Sequence, residues 1–134
     1  MRLLHDRLPS PIGDIEVVTD GERLLLLEFA DHPERLERSL KARFGSYELS
    51  SPADPLHMRD RLAAYLAGRF DAFDGLALDG GGNAFERQVW QALCRIPVGT
   101  TTSYGALAAS IGRPGAQRAV GLANGRNPIA IVVP

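Results

Sequence analysis

The sequence predicts a mixed α/β fold, more narrowly of the α+β class. A three-stranded antiparallel sheet with helices forms the first part of the chain, and helices form the second part. Short apolar segments with strand-like alternation lie before residue 30, and amphipathic helical stripes dominate later. The run Asp79-Gly80-Gly81-Gly82-Asn83 indicates a connection between two domains. We therefore expect an N-terminal α/β domain over 1–79, a linker over 80–83 and a second domain over 84–134.

Three segments of the first part read as consecutive strands. Residues 2–8 form the first and end at Pro9, and residues 15–19 alternate apolar and polar side chains. The dipeptide Asp20-Gly21 is a strong hairpin signal, and the apolar run 24–29 follows it. The pattern predicts a meander with one face that needs cover.

One helix is predicted to supply that cover, and a second helix follows it. Residues 33–44 carry a helical apolar stripe and stop at Gly45, and residues 55–67 carry a second stripe that stops at Gly68. The polar stretch 46–54 between them is predicted to be a loop.

The second part contains helix signals at closer spacing. Asn83 and Glu86 form a capping-box pattern before an amphipathic helix that continues to about Ile96. Ser103 caps the next helix, and Pro114 suits the first turn of a third that runs to about Asn124. The last two helices have the spacing of a helix-turn-helix. The apolar run 129–133 is predicted to be a strand.

Composition and charge narrow the possible partners. The chain has 134 residues, 45% of them hydrophobic, which excludes a disordered or coiled-coil protein. Residues 1–84 carry a net charge of −5 and residues 85–134 a net charge of +4, which favours an anionic partner for the second part. The alternative is that these arginines lie on a solvated surface and bind no partner.

Other composition features point to a cytoplasmic protein. No apolar run is long enough to span a bilayer, and the start lacks the apolar core of a signal peptide. A single cysteine and three histidines are too few for a Cys/His zinc site. We expect no membrane association, no metal and no cofactor.

The helix after the turn would be the recognition helix of a DNA-binding protein. The small residues Ala116, Ala119 and Gly121 would let its backbone approach a groove, while Arg118 projects to a phosphate or the base stack. At the two ends of the helix, phosphate contacts are expected from Arg113 and Arg126. The alternative is a helix pair packed through small residues, with Arg118 in a salt bridge inside the protein.

Ordered motifs in the second part carry a family resemblance. The segments are Phe85-Glu86-Arg87-Gln88-Val89-Trp90, Ile96-Pro97-Val98-Gly99-Thr100, Ser103-Tyr104-Gly105-Ala106-Leu107-Ala108, Arg118-Ala119-Val120-Gly121 and Asn127-Pro128-Ile129. They resemble the O6-alkylguanine-DNA alkyltransferases of the bacterial type, also described as methylated-DNA–protein-cysteine methyltransferases. The resemblance spans about residues 84–134, and the first part resembles the N-terminal domain of that family more loosely.

The resemblance implies a ribonuclease H-like first domain and a winged-helix-like, DNA-binding second domain. It implies a monomer that binds duplex DNA containing O6-alkylguanine through the minor groove, flips the base and moves the alkyl group irreversibly to its own cysteine. Arg118 matches the arginine that fills the vacated stack, and Tyr104 matches a tyrosine that crowds the target phosphate. Asn127 matches an asparagine in the turn before the active site, and Ala116, Ala119 and Gly121 match groove-facing positions.

The acceptor cysteine of that family follows a proline in a Pro-Cys-His-Arg motif. Pro134 matches this proline, so the acceptor is expected as residue 135, with the histidine and glutamate of its proton relay further on. Residues 1–134 alone are therefore expected to be inactive. Three explanations of this end stay open: a natural end of the protein, a shortened sequence, or a continuation with a modified cysteine, of which the last two are favoured. Cys94 is not a substitute, because a helix C-terminus disfavours a thiolate.

Three functions compete on this evidence. The first is the repair alkyltransferase, and the second is a non-enzymatic alkylguanine sensor in which another residue replaces the acceptor cysteine. The identity of residue 135 distinguishes them. The third is a helix-turn-helix transcription factor, against which the small residues of the recognition helix argue, because they offer little direct base readout.

Overall fold

The chain divides into an N-terminal unit, residues 1–79, and a C-terminal unit, residues 80–134. The computed structural model describes residues 2–31, 33–51, 54–97 and 99–133. The N-terminal unit holds a sheet with two helices, and the C-terminal unit holds three helices. Within these described ranges, every helix falls short of the length and apolarity that a bilayer crossing requires.

The sheet of the N-terminal unit has four strands in the order β3-β2-β1-β4. The three predicted strands are confirmed as β1 (Arg2–Leu8), β2 (Ile15–Thr19) and β3 (Leu24–Phe29), which pair antiparallel. The fourth, β4 (Glu48–Ser50), pairs parallel to β1 in the stretch predicted as a loop. Its three exposed residues carry no apolar alternation, so local sequence does not reveal it.

Helix α1 (Pro33–Phe44) covers one face of the sheet. The buried side chains between them belong to one cluster that includes Leu3, Val18, Leu26 and Leu40. These four side chains are at most 1% exposed, which is why the predicted cover by this helix is required.

The opposite face is covered by a short 3₁₀ turn, Pro55–His57, and by α2 (Met58–Leu66). Both Leu56 and His57 adopt left-handed backbone angles, so the single helix predicted over 55–67 is wrong in its first turn. Arg59 donates two hydrogen bonds of 2.8 Å to the buried carboxylate of Asp6. Asp6 and Leu3 lie three positions apart on β1, so α2 and α1 cover opposite faces.

Two glutamates face each other across β2 and β3. Glu28 pairs with Glu16 in the register of these strands. Burial raises the pKa of Glu28, and the carboxylates of Glu16 and Asp31 raise it further against the opposing effect of Arg35. The folded protein therefore holds the Glu28 proton more tightly than the unfolded chain does.

Glu28→Gln should increase the free energy of unfolding at pH 7 by a few tenths to about 1 kcal/mol, because it removes one of two like charges that face each other across the strands. The gain should be full above the raised pKa of Glu28 and should vanish below the ordinary glutamate value, about pH 4, where both states are protonated. Urea unfolding at pH 7 and pH 3.5 measures both quantities. A gain that persists unchanged at low pH would show that charge is not the cause.

The C-terminal unit consists of α3 (Ala84–Cys94), α4 (Tyr104–Ser110) and α5 (Gln117–Gly125), each in contact with the other two. The predicted capping box is confirmed: the Asn83 side chain accepts from the Glu86 amide, and the Glu86 carboxylate accepts from the Asn83 amide. The predicted Ser103 cap of α4 is confirmed as well. Helix α5 begins at Gln117 rather than at Pro114, because Gly115 takes a positive φ of 87° that interrupts helical geometry.

The strand predicted over residues 129–133 is wrong. The segment forms successive turns, in which the Val132 amide donates to Ala130 at 2.8 Å and the Val133 amide donates to Ile129 at 3.1 Å. Ile131 has a φ of 70°, outside the β region. A run of β-branched residues carries the same composition signal whether it extends or folds on itself, and here Ile129 and Val133 are both buried by the turn.

Candidate nucleic-acid interface

The helix pair α4–α5 has the geometry that the sequence indicates. Helix α4 ends where the Gly112 amide donates to Ala109 and Gly112 takes a φ of 76°. The Arg113 amide then donates to Ala108, and the turn leads into α5. The two helices contact each other directly, so the surface of α5 is presented on a packed support.

The small residues of α5 are divided between its two faces. Val120 and Ala123 are buried, while Ala119 is exposed and Ala116, which precedes the helix, is half-buried. Gly121 lies under the ring of Tyr104: a Cβ atom there would come within 3.2 Å of that ring. Gly121 therefore lets the Tyr104 ring lie close to α5, a reason for a small residue that the sequence alone did not supply.

Arg118 is exposed near the beginning of α5. It makes no hydrogen bond, ion pair or ring contact with the residues that the structure describes, so the alternative of a salt bridge inside the protein finds no support there. The charge of an unpaired surface arginine is available to an anionic ligand.

Tyr104 is the first residue of α4 and is 48% exposed. Its ring lies against Gly121, and its hydroxyl oxygen accepts a hydrogen bond of 3.1 Å from Nδ2 of Asn124. Both contacts come from α5, so the structure brings Tyr104 onto the same helix pair as Arg118. Asn124 had no predicted role, because a contact between residues 20 positions apart leaves no local pattern.

Arg113, in the turn before α5, and Arg126, directly after α5, both interact with α3. The guanidinium carbon of Arg113 lies 5.8 Å from the centre of the Phe85 ring, and Nη1 of Arg126 lies 3.9 Å from Oε2 of Glu86. The Arg126 side chain is 61% exposed in that pair. Exposed pairs of this kind are weak, so both cations can exchange these partners for a phosphate.

Asn127 closes the turn segment that follows α5. Its Nδ2 donates to the carbonyl of Val133 at 2.6 Å, and its Oδ1 accepts from the amide of Ile129 at 2.9 Å. One side chain thus ties the start of the segment to its end and fixes where the chain emerges at Val133. Pro134, predicted to support an active site, lies outside the described residues.

Trp90 anchors α5 from the side of α3. Its indole N–H donates to the Ala123 carbonyl at 2.9 Å in a buried setting. A Cβ atom on Gly82 would come within 2.7 Å of the same ring, and one on Gly80 within 3.1 Å. The predicted linker glycines therefore make room for Trp90. The tryptophan itself indicates such a bond, because a buried indole N–H needs an acceptor. The sequence does not show which residue supplies that acceptor.

Cys94 is the last residue of α3 and is exposed. Partial burial of the thiol raises the pKa of Cys94 above its ordinary value. At neutral pH the sulfur is therefore protonated and a poor nucleophile, which argues against Cys94 as a substitute for the acceptor.

Alkylation of Cys94 by iodoacetamide should be slow at pH 7 and should rise with a midpoint above that of a free thiol, because only the thiolate reacts. Mass spectrometry of the peptide that contains Cys94 follows the rate as a function of pH, with glutathione as the reference thiol. A midpoint below that of glutathione would mean that Cys94 is an activated nucleophile.

No group of three or more His, Cys, Asp or Glu side chains comes close enough to hold a metal ion anywhere in the described ranges. The C-terminal unit carries a cation that has no partner among the residues described, an oriented exposed tyrosine and a side chain that closes the turn before residue 134. This combination suits an extended anionic ligand approached by α5.

Comparison with known proteins places this arrangement in a family. The family model described as "6-O-methylguanine DNA methyltransferase, DNA binding domain" matches residues 84–134. The methylated-DNA–protein-cysteine methyltransferase of Salmonella typhimurium is 46% identical over 100% of this chain and 80% of its own length. That of Methanosarcina barkeri is 39% identical over 98% of this chain and 79% of its own length.

Solved structures agree with the sequence relatives. The O6-methylguanine methyltransferase of Mycobacterium tuberculosis aligns with a TM-score of 0.77 and 39% identity, covering 98% of this chain and 75% of its own. The structure of the Mycobacterium tuberculosis OGT in complex with DNA aligns with a TM-score of 0.79 and 40% identity, covering 98% of this chain and 74% of its own. The chain described here therefore belongs to the methylated-DNA–protein-cysteine methyltransferase family.

Proposed function

We propose that this protein repairs O6-alkylguanine in duplex DNA by moving the alkyl group irreversibly to its own cysteine, which we expect immediately after Pro134. The observation that carries the proposal is the exposed Arg118, unpaired among the described residues, on α5, the helix whose Asn124 also holds the Tyr104 hydroxyl. Membership of the family supports the reaction type.

Base flipping is the physical requirement that the C-terminal unit meets. The O6 atom of guanine is inaccessible to a protein nucleophile inside the base stack, and extrusion of the nucleotide costs a few kcal/mol. Approached through the minor groove, the duplex meets α5, on which Ala116 and Ala119 leave space for the backbone. Arg118 then occupies the vacated stack, and Tyr104 crowds the phosphate of the target nucleotide so that rotation is favoured.

Phosphate contacts outside the flipped nucleotide fix the register of the protein on DNA. Arg113 and Arg126 are placed to make them at the two ends of α5, where their present contacts to α3 are weak. Each contact that displaces a counterion makes binding depend on salt. One lesion consumes one acceptor thiol, so each chain can repair one lesion, and we propose that it does so as a monomer.

The transfer step needs only a thiolate and a leaving group. The cysteine sulfur attacks the alkyl carbon, the bond between that carbon and O6 breaks, and the electron pair remains on guanine, which takes up a proton. The thiol proton leaves through a water to the histidine expected after the cysteine. The transfer reaction requires no metal or organic cofactor, because the thiol is the co-substrate and is consumed.

Transfer of labelled methyl from O6-methylguanine in duplex DNA to the full-length protein tests the proposal. We expect one methyl group per protein molecule and no second turnover. Tight binding to the lesion with unmodified DNA and protein would instead identify a non-enzymatic sensor. Preference for a particular undamaged sequence, without transfer, would identify a transcription factor.

A further inference from the structure

The hydrogen bond between Asn124 and Tyr104 has a direction, from donor to acceptor, that matters for ligand binding. Asn124 lies in the last turn of α5, and its Nδ2 donates to the hydroxyl oxygen of Tyr104 at 3.1 Å. An amide nitrogen can only donate, so the phenol oxygen is the acceptor in this bond. The phenol proton is consequently left to be donated elsewhere.

No acceptor for that proton lies within the described residues, where the other contact of Tyr104 is the one between its ring and Gly121. A hydroxyl group that already accepts a hydrogen bond is polarised toward donation, because bonds in a chain reinforce each other. The exposed hydroxyl therefore presents a strengthened donor on the surface that also carries Arg118. Its natural partner is an oxygen with negative charge.

The two contacts also restrict the motion of Tyr104. Gly121 lies under the ring, and Asn124 holds the hydroxyl at the tip, so ring position and hydroxyl position are both fixed before a ligand arrives. An exposed tyrosine without such contacts loses rotamer freedom on binding, which weakens binding. Asn124 removes that cost without contact to the ligand.

We propose that Asn124 is a positioning residue, which orients the Tyr104 hydroxyl as a donor to a phosphate oxygen of the flipped nucleotide. The proposal rests on the proposed function, since it assigns the acceptor to the DNA that the repair reaction uses. Asn124 acts through Tyr104 alone, so its contribution disappears when the Tyr104 hydroxyl is absent.

A double-mutant cycle in the full-length protein tests this coupling. Asn124→Leu, which keeps the size and removes the donor, should slow single-turnover repair of duplex DNA by about threefold to tenfold, the range set by one net hydrogen bond. Tyr104→Phe should slow it at least as much. The double variant should be no slower than Tyr104→Phe, because the interaction is already gone. Multiplying effects, or a normal rate for Asn124→Leu, would overturn the proposal.

Two further measurements are needed. One distinguishes a positioning role from a folding defect, and the other distinguishes a contact with phosphate from a contact with the base. Thermal unfolding should be nearly unchanged in Asn124→Leu; if it is lowered, Asn124→Ala replaces it in the same cycle with the same expectation. Free O6-benzylguanine has no phosphate, so Asn124→Leu should react with it at the wild-type rate. Equal slowing on the free base would overturn the assignment to phosphate. A wild-type protein that transfers nothing would refute the proposed function itself.

Discussion

Arg118→Ala should slow the repair of O6-methylguanine in duplex DNA by roughly 30- to 150-fold, with the fold intact. Without Arg118 the extruded nucleotide leaves an empty space in the stack, and the loss of roughly 2–3 kcal/mol from the flipped state gives this factor. Stability should hardly change, because Arg118 is exposed and unpaired among the described residues. Single-turnover kinetics on duplex DNA and thermal unfolding measure the two effects.

The matched control is Arg126→Ala, which removes another exposed arginine from the end of the same helix. We expect it to weaken DNA binding in a salt-dependent manner but to slow the transfer step by less than Arg118→Ala, because a phosphate contact positions DNA without filling the stack. Free O6-benzylguanine, which needs no flipping, should react with both variants at the wild-type rate. Arg118→Ala that repairs duplex DNA normally would contradict the assigned role.

Asn127→Ala should lower both stability and transfer. The side chain makes one hydrogen bond to Ile129 and one to Val133, and their loss should cost about 1–3 kcal/mol in the free energy of unfolding. The segment that leads to the expected acceptor cysteine would then no longer be held in position. Transfer should fall at least about tenfold, because the nucleophile is displaced. Urea unfolding and single-turnover transfer on free O6-benzylguanine measure these effects.

Asn83→Ala separates a positional effect from a loss of stability. It removes the cap of α3 and should cost about 1 kcal/mol, but it leaves the contacts of Asn127 untouched. We expect its folded population to transfer the alkyl group at the wild-type rate. If both variants lose transfer in proportion to their loss of stability, the closing role of Asn127 is wrong.

Local patterns were sufficient for the elements that local interactions determine. Strand β2 follows from alternation, β1 ends before Pro9, and β3 is an apolar run after the Asp20-Gly21 turn. In that turn the Asp20 carboxylate accepts from the amides of Glu22 and Arg23. The Asn83 capping box is likewise contained within four consecutive residues. Strand β4 could not be predicted, because a three-residue parallel edge strand depends on β1, more than 40 residues away.

The error over residues 129–133 has the same origin. The residues favour a strand by composition, but the two hydrogen bonds of Asn127 and the left-handed angle of Ile131 fold the segment into turns. Tertiary contacts override propensity when the segment is only five residues long. The start of α5 differs for a smaller reason, since Gly115 tolerates the positive φ that ends the preceding turn.

At the candidate site, the family resemblance supplied the residues and the structure supplied their partners. Arg118 and Tyr104 were named from ordered motifs, but nothing in the sequence pairs Tyr104 with Asn124 or Trp90 with the Ala123 carbonyl. Such pairs form when α3, α4 and α5 pack together, so they are properties of the tertiary structure.

Tandem mass spectrometry of the full-length protein after reaction with duplex DNA containing O6-methylguanine tests the central claim most directly. We expect a single methyl group on a cysteine immediately after Pro134, in a 1:1 ratio to the lesions repaired, with Cys94 unmodified. Cys94→Ser should give the same product at the same rate. Methylation of Cys94, or loss of the lesion with an unmodified protein, would contradict it.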